Sequence, residues 1–107
     1  MKRNEQDMPY AWEKFNLAIH TLKGSGSPKD RLVGAFDTIM VLRPEEVPDE
    51  KQSDFTRLFE EMTSMRPEAD EDPVQTTVNH ANDVEVERVM ERIASMNAAI
   101  KRHRLLA

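Results

Sequence analysis

The sequence predicts an all-α fold, a small single-domain bundle of about four helices. Apolar residues recur at spacings of three and four along four segments, which is the period of an amphipathic helix. No stretch of the sequence shows the alternating apolar and polar residues that are typical of a half-buried strand. With 107 residues the chain has the length of one domain and can bury a core of its own.

The first helix is predicted over residues 9–23, after a flexible N-terminal tail at residues 1–8 that is polar and unpatterned. Pro9 suits the first turn of a helix, where its missing N–H costs nothing. Gly24 is expected to end the helix, because glycine reaches positive φ without strain. The inward face has spacings of three and four and consists of Trp12, Phe15, Ile19 and Leu22.

The second helix is predicted over residues 28–42, directly after a turn rich in glycine and serine. Ser27 is the expected N-cap, Pro28 takes the first helical position, and Asp30 is the acid of a capping-box variant. The apolar face is wide, which indicates contact with more than one neighbouring helix. It consists of Leu32, Val33, Ala35, Phe36, Ile39, Met40 and Leu42.

A proline-rich corner, the sequence LRPEEVPDE at residues 42–50, separates the second helix from the third. Pro44 disfavours the α conformation at Arg43 and so ends the second helix. Val47 is the single apolar residue between the two prolines, and we expect it to reach the core. The third helix is predicted over residues 49–64, with an inward face of Phe55, Leu58, Phe59 and Met62.

An acidic loop, about residues 65–81, is predicted before the last helix, because it combines two prolines with a run of acids. Its second half, residues 74–81, is open between a short helical turn and an extended segment. The last helix is predicted over residues 83–104, with Asn82 and Glu85 forming its N-terminal cap. Its seam is expected to pack on the other helices, with homodimerisation left open as an alternative, and consists of Val86, Val89, Ile93, Met96 and Ile100.

Composition excludes several kinds of protein. The chain has no cysteine, so disulfides, thiolate metal sites and cysteine nucleophiles are excluded. No segment approaches the roughly 20 apolar residues of a membrane span, and the N-terminus lacks the apolar run of a signal peptide. We therefore expect a cytoplasmic protein without a membrane partner.

The net charge is −5, and residues 45–72 hold eleven acids against three bases. This acidic middle repels nucleic acid and attracts a basic protein surface.

The sequence offers no arrangement typical of a catalytic or metal site. The three histidines, His20, His80 and His103, lie on separate segments without the i, i+4 spacing of a zinc helix. The acids occur mostly as neighbours on solvated faces, where nothing separates their pKa values. The basic C-terminal patch, Lys101 to Arg104, is explained by the helix dipole, and nucleic-acid binding there is disfavoured. We predict no enzyme activity, no cofactor and no metal.

Three stretches of the chain resemble a family of short, uncharacterised, all-helical bacterial proteins. They are YAWEKFNLAIHTL, SPKDRLVGAF and LRPEEVPDEKQSDFTRLFEEMTS. The resemblance covers most of residues 10–100 and is weakest over residues 66–82. It implies an all-helical fold and a bacterial setting, often with mobile elements, and it supplies no catalytic residue. The matched positions are Trp12, Glu13, Lys14, Arg31, Leu32, Leu42, Pro44, Glu45, Glu46, Pro48, Phe55, Leu58 and Thr63.

These observations favour a non-enzymatic protein–protein interaction module, a small regulatory or accessory subunit whose partner has a basic surface. Hydrophobic residues make up 38% of the chain, which predicts a thin core that a partner completes. An acidic inhibitor or antitoxin-like protein, acting in phage conflict by blocking a basic groove, is the alternative. A DNA-binding regulator and an enzyme are disfavoured. The candidate partner-binding residues are Glu45, Glu46, Glu50, Asp54, Glu60, Glu61 and Met65.

Overall fold

Five α-helices and one short 3₁₀ helix build the part of the chain that the computed structural model describes, residues 4–67 and 70–106. The described residues form one compact body with a radius of gyration of 14.0 Å. The predicted all-α class is confirmed, although there are five helices where the sequence indicated about four. The helices are α1 Asn4–Leu22, α2 Pro28–Ile39, α3 Asp49–Met62, α4 Pro73–His80 and α5 Asp83–Leu106, and the 3₁₀ helix is Pro44–Glu46.

The first helix begins earlier than the sequence indicated. Its backbone is helical from Asn4, so most of the predicted tail belongs to α1, and residues 1–3 lie outside the described residues. Pro9 therefore lies inside α1 and not in its first turn. The polar residues before Pro9 carry no apolar period, which is why the pattern of the sequence gave no sign of this helical turn.

The turn between α1 and α2 has the predicted N-cap. The Ser27 hydroxyl accepts a hydrogen bond from the Asp30 backbone N–H at 3.1 Å, and Pro28 is the first residue of α2. The glycine with positive φ is Gly26, at 108°, and not Gly24 as expected. Gly24 instead donates its N–H to the Thr21 carbonyl at 3.1 Å and extends the last turn of α1.

Arg31 joins the two helices at this turn. Its Nη1 donates to the Leu22 carbonyl at the end of α1 at 2.7 Å, and its Nε donates to the Gly26 carbonyl at 3.2 Å. The last carbonyls of a helix have no partner within the helix, and a cation is favoured beside them. Arg31 therefore caps α1 from the following helix.

The proline-rich corner forms the 3₁₀ helix and leads into α3. The Arg43 backbone N–H donates to Oε1 of Glu46 at 2.7 Å, which holds the corner in its shape. Val47 is buried, with 2% of its surface exposed, as the sequence predicts. α3 then begins at Asp49, where the first-turn acids complement the positive end of the helix.

The segment predicted as an acidic loop contains the fourth helix. Asp72 is the N-cap of α4, and its carboxylate accepts from the Gln75 backbone N–H. Thr76 is buried and donates its hydroxyl to Glu71 and to the Asp72 carbonyl. Val74 and Val78, one turn apart, are buried against the core. Of the two alternatives for residues 74–81, a helical turn and an extended segment, the structure has the helix. Val74 and Val78 share one face of this helix.

The last helix packs along the other helices. Its predicted cap is present: the Asn82 side chain accepts the Glu85 backbone N–H at 2.8 Å, and the Glu85 side chain accepts the Asn82 backbone N–H at 2.9 Å. Four of its five seam residues are buried within the chain, namely Val86, Ile93, Met96 and Ile100. The seam therefore packs within the chain, as expected, and homodimerisation through α5 stays an untested alternative. No helix among the described residues is long and apolar enough to cross a membrane.

Candidate functional site

The predicted acidic surface of α3 is largely neutralised by cations of α5. Arg92 donates through Nη2 to Asp54 at 2.9 Å and through Nη1 to Glu61 at 2.7 Å. Partial burial lowers the pKa of Arg92, but the hydrogen bonds and charges of Glu61 and Asp54 outweigh it and leave this pKa above its usual value. Two of the candidate partner-binding acids thus hold α3 against α5.

Glu50, at the start of α3, is paired with the end of α5. Its carboxylate contacts Nε2 of His103 at 3.1 Å and Nη2 of Arg102 at 3.2 Å. The hydrogen bond with His103 is the main cause that lowers the pKa of Glu50, and the Arg102 guanidinium acts in the same direction. The structure therefore gives a third candidate acid a partner within the chain.

Glu46 lies inside the protein, although the sequence placed it among the partner-binding residues. It is 9% exposed, and its carboxylate accepts the Arg43 backbone N–H. A buried carboxylate that satisfies the backbone cannot also face a partner, so its role is to shape the corner. Its neighbour Glu45 is exposed and lies 3.5 Å from the Arg43 guanidinium.

The basic C-terminal patch is also used within the chain. Arg102 and His103 pair with Glu50, and the Arg104 guanidinium lies 4.7 Å from the centre of the Trp12 ring. A guanidinium over an indole face is attracted by the ring electrons. These contacts tie the end of α5 to α3 and α1, which supports the expectation that this patch serves the fold.

Glu60 and Met65 are the two remaining candidates, and both are exposed. Met65 follows α3 and has 37% of its surface exposed. It borders a groove of about 310 Å³ between the end of α3, α4 and the first half of α5. We call this the methionine groove. Its apolar lining consists of Leu32, Met62, Met65, Val78, Ala81, Val86 and Val89.

The methionine groove has an apolar floor and a charged rim. Met62, Val78 and Val86 are buried at its floor, while Met65 is exposed at its edge. The ion pair of Glu61 with Arg92 forms part of the rim. An apolar centre with a polar edge is the general composition of a protein–protein interface. Methionine is also common on adaptable binding surfaces, because its side chain is unbranched and flexible.

A second groove, of about 460 Å³, lies at the proline-rich corner against α3. We call it the corner groove. Val41 is 57% exposed at its edge, and Met40 and Phe59 are half-buried in its wall. Glu60 also lines it. The sequence pattern assigns Met40 and Leu42 to the apolar face of the second helix and does not indicate the groove, because α2 ends at Ile39 and Val41 is left at the surface.

The histidines do not join the acids in a reactive arrangement. His20 borders a shallow surface depression with Asn16 and Lys23, and no carboxylate lines that depression among the described residues. His80 lies at the rim of the methionine groove, where its Nδ1 is 2.9 Å from the Thr76 carbonyl and Glu61 is already bound to Arg92. Within residues 4–67 and 70–106, no three side chains of His, Cys, Asp or Glu gather as metal ligands would.

The described part of the chain is an all-α domain of five helices, and its surface includes two open, partly apolar grooves. No family model, curated protein or solved structure matches the chain. The resemblance to short bacterial helical proteins therefore stays a prediction. Any proposed function rests on the surface residues of this chain alone.

Proposed function

We propose that the protein is a non-enzymatic interaction module, a small regulatory or accessory subunit that binds a segment of another protein in the methionine groove. The groove carries the proposal, because it places an exposed methionine beside buried apolar side chains on four helices. A partner that inserts an apolar side chain there removes Met65 from water without distorting the core. An amphipathic helix is the kind of segment that fits such a groove.

The charge near the groove favours a partner with basic residues. Residues 83–91 of α5 carry four acids and one base, and the residues before α4 include Asp70, Glu71 and Asp72. Of these acids, Glu85 lines the groove together with Arg88, and the other acids of this stretch of α5 give the stretch a net negative charge and field. Such a field speeds encounter with a basic partner and weakens as salt is added.

The acidic-inhibitor alternative has less support from the contacts. An inhibitor that blocks a basic groove with α3 needs carboxylates that are free to leave their present partners. Asp54 and Glu61 are held by Arg92, and Glu50 is held by Arg102 and His103. Breaking these contacts on binding would offset much of the attraction gained.

The test compares three forms of the protein as bait in extracts of the native host. The forms are the wild type, Met65→Glu, and the control Val84→Glu. Val84 is 64% exposed and lies outside both grooves, so the control adds the same charge to an equally apolar surface position. We expect a protein that the wild type and Val84→Glu retain and Met65→Glu loses.

Circular dichroism must show the same helix content for all three baits, so that the comparison reports binding and not folding. Equal retention by Met65→Glu and the wild type would contradict the proposal. Retention of no protein above background by any of the three would also count against it.

A further inference from the structure

We infer that the corner groove is a self-association surface, at which a second copy of this chain binds across a two-fold axis beside the middle of α3. The observations that carry this inference are the exposed apolar residues of the groove and the charges beside them. The groove shares no lining residue with the methionine groove. The inference therefore goes beyond the proposed function and can be tested independently of it.

The corner groove exposes apolar surface that the chain itself does not cover. Val41 is among the most exposed large hydrophobic residues described, and Phe59 packs edge-on against Phe36 while its outer side lines the groove. The surface continues past Thr56 along the outer edge of α3 to Gln52 and Ser53, which line an adjoining depression. The floor of the groove and one edge of α3 thus form one continuous surface.

The charges along this edge complement a second copy of themselves. Arg57 and Glu60 are both exposed, and neither makes an ion pair among the described residues. Arg57 reaches back along α3, and its Nη2 lies 3.3 Å from the Ser53 hydroxyl. Its positive charge therefore lies near Ser53, at the other end of the edge from Glu60.

This spacing selects an antiparallel arrangement of two α3 helices. Ser53 and Glu60 are seven residues apart, which is about 10.5 Å along a helix. A two-fold axis that passes midway, beside Thr56 and Arg57, sets Glu60 of the second copy opposite Ser53 of the first. The guanidinium of Arg57 already lies there, so two identical ion pairs form, one on each side of the axis.

The same axis brings the two corner grooves together. Val41 and Phe59 of each copy then cover the apolar surface of the other, while the charge pairs fix the register. Thr56 lies at the centre, where its small side chain allows the two helices to approach closely. A different protein would need to reproduce both the apolar contacts and the alternating charges, whereas a second copy supplies them by symmetry.

The experiment is analytical ultracentrifugation of the full chain over a range of concentrations up to about 1 mM. We expect the wild type to form a dimer with twice the 12.4 kDa mass of the chain. Arg57→Glu and Glu60→Arg each place like charges opposite one another and should raise the dissociation constant at least about tenfold. The Val84→Glu protein is the control and should dimerise as the wild type does.

Two further samples make the test specific for this axis. An equal mixture of Arg57→Glu and Glu60→Arg should form a heterodimer, because one copy then presents only acids and the other only bases. The double variant should dimerise again, with the charges exchanged. A wild type that stays monomeric at the highest concentration would overturn the inference, as would a dimer that neither single charge reversal weakens. Failure of both the mixture and the double variant to associate would overturn it too.

Discussion

Arg92 of α5 and Asp54 of α3 form a hydrogen-bonded ion pair with an Nη2–Oδ1 distance of 2.9 Å. The same guanidinium binds Glu61, so one cation spans two turns of the neighbouring helix. Only 20% of the Arg92 side chain is exposed, which makes this contact less screened by water than a surface pair. It explains how a helix rich in acids packs against another helix without repulsion.

Replacing Arg92 with methionine should lower the free energy of unfolding by about 1–2 kcal/mol, because two carboxylates lose a charged partner. Methionine retains most of the apolar stem, so the loss reports the charge. Urea denaturation measures the change. Arg88→Met is the matched control on the same helix, since Arg88 is exposed and makes no ion pair among the described residues, and its effect should be near zero. Equal effects of the two substitutions would contradict this account.

Glu46 should matter to stability far more than its exposed neighbour Glu45. Glu46→Ala removes the acceptor of the Arg43 N–H and should cost about 1–2 kcal/mol of unfolding free energy. Glu45→Ala should change it by less than about 0.5 kcal/mol, because exposed charges contribute little. Thermal denaturation of the two variants under the same buffer distinguishes them. If both leave the melting temperature unchanged, Glu46 does not shape the corner.

Arg31 should be required for the packing of α1 on α2. Arg31→Met leaves the Leu22 carbonyl without its cation and should destabilise the fold by about 1–3 kcal/mol. Hydrogen exchange should then increase in the last turn of α1 while α3 keeps its protection. An unchanged exchange rate at the end of α1 would show that solvent caps this helix equally well.

Asp37 should limit stability at neutral pH. Partial desolvation of the carboxyl, and secondly the negative charge of Asp72, raise the pKa of Asp37 above its ordinary value of 3.8, although the residue as a whole is exposed. The folded state thus holds this proton more tightly than the unfolded state. Ionisation of Asp37 therefore lowers the free energy of unfolding at pH values above the raised pKa. This loss disappears as the pH falls below 3.8, where the carboxyl is protonated in both states. Because Asp37 is exposed and water screens its charge, Asp37→Asn should raise the melting temperature by only about 1–2 °C at neutral pH.

The gain from Asp37→Asn should shrink as the pH is lowered from neutral towards 3.8, because the wild-type carboxyl takes up its proton as the pH falls through its raised pKa. Calorimetry at several pH values measures both proteins. A gain that stays constant with pH would assign the effect to something other than the charge of Asp37. Asp72→Asn does not isolate the same charge effect, because the Asp72 carboxylate also accepts the Gln75 N–H as the N-cap of α4.

The sequence predicted the helices that carry a strong apolar period and missed those that do not. The stripe from Trp12 to Leu22 and the seam from Val86 to Ile100 both face the core, and the Asn82 and Glu85 cap forms as expected. The sequence does not decide between a helical turn and an extended segment at α4, because this helix is only eight residues long and its period rests on Val74 and Val78. What fixes it as a helix is the Asp72 cap and the packing of those valines, which only the assembled core supplies.

The candidate site was harder to predict, because an acid in a sequence does not show its partner. Arg92 lies 38 residues from Asp54 and 31 from Glu61, so nothing local indicates that they meet. Glu46 looked like a surface acid because it stands in an acidic run, yet the geometry of the corner turns it inward. Met65 was the one apolar candidate, and it does border a groove.

The most direct test of the central claim, that the methionine groove binds a partner, is photo-crosslinking from inside the groove in cells of the native host. A benzophenone amino acid replaces Met65 in one protein and Val84 in another, and each is irradiated in place. The account predicts a covalent adduct with one other protein from position 65 and none with that protein from position 84. An adduct pattern that is the same from both positions, or the absence of any adduct from position 65, would contradict it.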